Sequence, residues 1–186
     1  MMYISKGVAK PSKDPSMFYV SHCGTVFALG KELAALWRNA RILPRPVPVG
    51  RERAVLHLME AGLASTTDEE GDIAQYRLLN DCILSPVDAD VPLHILRSRD
   101  RRIWTWLTKA GLRLTISELV RLEEQHLRPT PALLGEGGRQ ELTCAIYCPE
   151  NICDGLLQVQ MEHSAARSAT VGAVLRLLRM GRLALL

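Results

Sequence analysis

The sequence predicts a mainly α-helical protein with short β-hairpins, organised as two related units in tandem. Three observations carry this expectation. Hydrophobic residues make up 47% of the 186 residues but aromatic ones only 5%, so the core must be built from Leu, Val, Ile and Ala, a bias toward helix. An amphipathic phrase occurs twice, AVLHLMEAGLA at 54–64 and AVLRLLRMGRLA at 173–184, with a third relative, WLTKAGLRL, at 106–114. Proline-rich breaks at 43–50 and 85–92 interrupt the helical periodicity.

Taken in order, residues 1–16 are polar, contain Pro11 and Pro15, and read as a flexible N-terminal arm. MFYV (17–20) reads as a short strand. Residues 26–42 read as a helix, because Leu29, Leu33, Leu36, Trp37 and Ala40 fall on one stripe. LPRPVPVG (43–50) is an extended connection. In the first copy of the phrase Val55, Leu58, Met59 and Gly62 share one side, with Arg53, His57 and Glu60 opposite. Gly62 ends that helix in the left-handed conformation that a side chain disfavours. LAST (63–66) and IAQYRLL (73–79) then read as two strands joined by the acidic tip TDEEGD, which completes a first unit at 17–88.

A second unit spans 93–186. Leu93 to Ala110 is amphipathic, with Ile103, Trp106, Leu107 and Ala110 expected inside. Gly111 stops it, and LRLT (112–115) reads as a strand. Thr115 or Ser117 caps the next helix, whose Ile116, Leu119, Val120 and Leu122 form an apolar face. After a break at 129–138, holding one helical turn, a helix runs from about Arg139 to Tyr147 and stops at Pro149. Asn151 caps a helix carrying Ile152, Leu156, Leu157 and Val159. HSAARS (163–168) turns the chain, Ser168 caps a helix from Ala169 to Met180, Gly181 ends it, and RLALL closes as a strand.

Helix, polar turn, helix, glycine and strand is the order of a helix-turn-helix followed by the first strand of a wing. On residues 54–64 with 73–79, and on 151–186, the chain resembles the winged helix-turn-helix superfamily over about half its length. That resemblance implies tandem winged-helix-like units and a DNA-binding transcriptional regulator that reads duplex DNA with its C-terminal helix. With Val171, Val174, Leu177 and Leu178 inward, the nucleic-acid contacts would come from Arg167, Ser168, Arg176, Arg179 and Arg182. Charge distribution agrees: residues 164–186 hold four arginines and no acid, whereas residues 60–90 hold eight acids and one arginine. The acidic tip, with Asp68, Glu69, Glu70 and Asp72, excludes the first unit from a duplex. The alternative is a protein-interaction or dimerisation adaptor that binds no DNA. RLALL, an apolar strand that needs an edge to pair with, points to LRLT or MFYV of the same chain, or to a homo-oligomer.

Catalytic signatures are missing. Cys144, Cys148 and Cys153, with His163, offer a weak alternative as zinc ligands, but they lack the two-residue knuckle, and core thiols explain them as well. GEGG (135–138) lacks the Lys-Ser/Thr of a phosphate loop. His22 and Cys23 suggest a thiol nucleophile, although sequence neighbours seldom form the required hydrogen bond. Glu69–Glu70 and Glu123–Glu124 read as solvated pairs. The expectation is therefore no enzyme, no cofactor and no small-molecule ligand. With five cysteines, no apolar span and no secretory leader, it is also a cytoplasmic location without membrane contact.

Overall fold

A computed structural model describes residues 1–12, 14, 17–87, 95–135, 137–148 and 152–186. About half of the described residues are helical and 17% are strand in small antiparallel sheets, a mixed α/β fold. It divides into two compact units, Met1–Cys82 with Ala184–Leu186, and Ile83–Leu183. The expected stop Pro149, the cap Asn151 and the start of the stretch at Leu93 lie outside the described residues.

In the first unit, β1 (Met2–Ser5), β5 (Arg45–Pro46) and β6 (Ala64–Thr67) form one antiparallel sheet in the order β5-β1-β6. A second sheet runs β2 (Val8–Lys10), β3 (Phe18–His22) and β4 (Thr25–Leu29). The expected flexible arm is thus corrected: β1 is a central strand, and its Tyr3 and Ile4 are fully buried. The chain opens on the short apolar run MMYI, and the polar residues and prolines that follow it masked this strand. Gly7 switches the chain from one sheet to the other. Its φ is +99, and a Cβ there would meet Val20 Cγ1 at 2.6 Å, so glycine is required.

The helix expected over 26–42 begins later, as α1 (Lys31–Asn39); its first part is β4, paired with β3 across a two-residue turn. Cys23 and Gly24 make that turn with φ of +47 and +83, the left-handed pair that a tight hairpin needs. Leu29, Leu36, Trp37 and Ala40 are nevertheless buried as the stripe required, and Leu33 packs against the same core. Tyr3 donates its hydroxyl to Leu36 O at 3.0 Å and Trp37 Nε1 donates to Lys6 O at 2.7 Å, so both large rings are satisfied inside.

Helix α2 (Glu52–Glu60) buries Val55 and Leu58 as expected. Gly62 N–H then bonds Met59 O and Leu63 N–H bonds Leu58 O, the reciprocal pattern of a Schellman stop. The hairpin expected over 63–79 does not form. Its first strand is β6, but IAQYRLL is the body of α3 (Gly71–Asn80), which buries Ala74, Tyr76, Leu78 and Leu79. Apolar residues on most sides of a short helix gave this segment a misleading alternation.

In the second unit, β7 (Leu84–Pro86) precedes α4 (Ser98–Lys109), α5 (Ile116–Glu124), α6 (Pro131–Leu134), α7 (Gly138–Tyr147), α8 (Asp154–Glu162) and α9 (Arg167–Arg179). Strand β8 (Leu183–Leu185) pairs with neither LRLT nor MFYV among the described residues. LRLT is not a strand; Leu114 is buried and its carbonyl accepts from Leu84 N–H at 3.3 Å. Helix α9 packs against α4 and α5, and α5 also meets α7 and α8. A capping box opens α5: Thr115 Oγ1 accepts from Glu118 N–H, and Glu118 Oε2 accepts from Thr115 N–H at 2.6 Å. The same carboxylate accepts from the Tyr147 hydroxyl at 2.7 Å, which ties the end of α7 to the start of α5. Desolvation, followed by that hydrogen bond, raises the Tyr147 pKa.

Candidate functional site

The predicted reading helix, α9, is largely interior to its unit. Val171, Val174, Leu177 and Leu178 point inward as expected, but Thr170, Ala173 and Leu175 are buried as well. Seven of the thirteen residues of α9 are buried, so the helix packs into its unit on more sides than one apolar stripe.

The five candidate residues are consequently put to different uses. Ser168 is exposed and lies inside the first turn of α9; the residue at the cap is Ala166, whose N–H is held by Ser164 Oγ at 3.2 Å. Arg167 turns its guanidinium back onto Glu162 O at the end of α8. Arg182 starts the exit strand: its N–H bonds Leu177 O and its carbonyl accepts from Val87 N–H. Arg176 forms a two-pronged pair with Asp100, Nε to Oδ2 at 3.0 Å and Nη2 to Oδ1 at 2.6 Å. That bond is the main reason the Arg176 pKa is raised. Arg179 is exposed.

Two of the five, Arg176 and Arg179, line one cavity of about 280 Å³, together with Ile95, Leu96, Arg97, Asp100 and Met180. All of these belong to the second unit. Among the described residues no carboxylate lies within ion-pair reach of Arg97 or Arg179. Arg97 stands at the N-cap of α4, and no side chain caps that helix start. The cavity therefore combines one neutralised pair, two unpaired guanidinium groups, an uncapped helix start and apolar flanks from Ile95, Leu96 and Met180.

Sequence reasoning missed Asp100 and Arg97. A signal for Asp100 existed: Asp100, Ile103, Trp104 and Leu107 follow the i, i+3, i+4, i+7 spacing of an inward stripe, so this acid was bound to be buried. Glu123 repeats the arrangement on α5, following Ile116, Leu119 and Val120, and was wrongly read as part of a solvated pair. Its side chain is 3% exposed and is gripped by Arg102 and by Arg99, the latter at 3.2 Å. A carboxylate forced inside by its position on the stripe draws in arginine, because an unpaired buried charge is far costlier than a paired one.

The other candidates resolve as follows. Cys144, Cys148 and Cys153 are exposed, not core thiols, and among the described residues no three His, Cys, Asp or Glu side chains come together as a metal site. His22 and Cys23 do meet, with Nε2 3.5 Å from Sγ, because the tight hairpin folds Cys23 back on its neighbour. The pair sits at an exposed turn and His22 Nδ1 has no partner, so no third group orients the imidazole. Burial, aided by Lys6, lowers the His22 pKa. No described helix is long and apolar enough to cross a membrane.

Comparison with protein-family models, curated proteins and solved structures finds no match for this chain.

Proposed function

We propose that this chain is a non-enzymatic regulatory binding protein, an adaptor and not a reader of duplex DNA, whose site is the arginine-lined cavity of the second unit. The observation that carries the reading is the pairing pattern around α9. Asp100 occupies Arg176 and fixes it, while Arg97 and Arg179 face the same cavity without carboxylate partners among the described residues. Unpaired guanidinium groups held beside a concave surface favour an anionic group. The DNA reading required the exposed side of α9 to carry Arg176 into a groove, and the bidentate pair with a buried acid opposes that use. The anion site does not depend on tandem winged-helix units, whose first wing would need a hairpin at 63–79.

The test is a pair of titrations on the full chain. Small oxyanions are expected to bind saturably, and the double variant Arg97→Gln with Arg179→Gln is expected to abolish that binding. Fluorescence anisotropy against duplex DNA at two salt concentrations runs beside it. Tight duplex binding whose salt dependence falls on Arg179→Gln, with no response to small anions, would return the function to DNA recognition.

A further inference from the structure

The cavity of the second unit also carries information about the kind of anion. Resting on the reading above, we infer that it is a site for a small organic dianion: an oxyanion head with two negative charges on a short apolar body, such as a phosphomonoester. Charge supplies the first argument. Arg97, Arg176 and Arg179 bring three positive charges and Asp100 removes one, because it is bonded to Arg176 through both oxygens. Among the described lining residues two positive charges remain, on Arg97 and Arg179, so a dianion neutralises this set and a monoanion leaves it charged. A phosphomonoester carries close to two charges above its second pKa of about 6, with three strong acceptor oxygens for guanidinium donors.

Size supplies the second argument. A space of about 280 Å³ lies just below the roughly 300–1,000 Å³ typical of drug-sized ligand sites, which suits a smaller molecule. At about 30 Å³ for each water it would hold on the order of nine, more than a bare hydrated oxyanion needs. The flanks are the third argument. Ile95 is 66% exposed and Met180 44% exposed at this cavity, and Leu96 is buried beside them. An apolar body placed there covers surface that inorganic phosphate would leave wet. The geometry also fixes how charge is presented. Asp100 holds the Nε and Nη2 edge of Arg176, so this guanidinium keeps one orientation whether or not a ligand is present, while Arg97 and Arg179 close on the head group.

The experiment is isothermal titration of the full chain at pH 8 and low salt with phenyl phosphate, inorganic phosphate and benzoate. Phenyl phosphate is expected to bind at least about tenfold more tightly than either comparator, since each isolates one half of the recognition. Arg97→Gln with Arg179→Gln is expected to weaken phenyl phosphate by more than about tenfold, and Met180→Gln to erase its advantage over inorganic phosphate. Arg128→Gln, at an exposed arginine that does not line the cavity, should change nothing. If inorganic phosphate binds as tightly as phenyl phosphate, or benzoate does, the organic dianion is refuted while anion recognition stands. If none of the three binds, or if binding survives the double arginine variant, the cavity is not the site and both proposals fall.

Discussion

Replacing Arg176 by Met tests the central electrostatic claim about the second unit. The Asp100 side chain is 3% exposed and gives both oxygens to Arg176, which is itself 33% exposed. Breaking a buried pair from one side costs about 3–5 kcal/mol, because the remaining charge stays buried without compensation. Water reaches part of the Arg176 guanidinium and screens the pair, so the expected loss for Arg176→Met is nearer about 2–4 kcal/mol. Converting both partners, Asp100→Leu with Arg176→Met, removes the buried charge altogether and is expected to bring stability back to within about 1 kcal/mol of the original. Urea unfolding followed by circular dichroism and by tryptophan fluorescence reads all four members of the cycle, with Trp104 and Trp106 on the same helix as Asp100. A loss below about 1 kcal/mol for Arg176→Met would refute the reasoning, as would a double variant whose loss equals the sum of the two singles.

Three further outcomes follow from local structure. Gly62, Gly111 and Gly181 have φ of +71, +64 and +67 at the ends of α2, α4 and α9, so each change to Ala should cost about 1 kcal/mol in chemical denaturation. Gly111→Ala should be the worst of the three, since its Cβ would come 3.0 Å from the Arg139 guanidinium. His126 closes α5 at φ +55 with the same hydrogen-bond pattern but a side chain in the left-handed region, and His126→Gly is expected to raise stability by about 0.5–1 kcal/mol. Cys82 is buried, and burial pushes its thiol up to about 12, so a disulfide reagent at pH 8 should label the four exposed cysteines quickly and Cys82 only on unfolding. Its folded pKa is raised, so the associated stability is fully present below the unfolded value near 9 and drains away as pH rises toward 12. Cys82→Ala should flatten that alkaline loss in a pH series of urea melts.

The phrase that occurs three times turns out to be a rule for ending helices. In each copy an apolar stripe is followed by a glycine with positive φ and, within three residues, a buried leucine, Leu63, Leu114 or Leu183. After the stop the three chains diverge. Leu63 leads into β6, Leu114 runs to the capping box of α5, and Leu183 enters β8. Repetition therefore reports a shared local solution to the unsatisfied carbonyls of a helix end, not a repeated domain.

The bodies of most helices, their inward stripes and their glycine stops were legible in the sequence, because spacing of three and four residues and a left-handed glycine act within one or two turns of chain. Helix α3 reads instead as a strand, and the start of α1 reads too early. Val55 and Leu58, Ile103 and Trp106, Ile116 and Leu119, and Val171, Val174, Leu177 and Leu178 all lie inside as that spacing required. The burial of Asp100 and Glu123 was written in the same spacing, although their charge concealed it. Tertiary structure alone decided who answers those charges: Asp100 meets Arg176 across 76 positions of sequence, and no local pattern encodes such a distance. It also decided that α9 is enclosed by α4 and α5, and that the polar N-terminal residues supply a central strand. Burial on a second or third side depends on which elements pack around a helix, and that is a property of the folded chain as a whole.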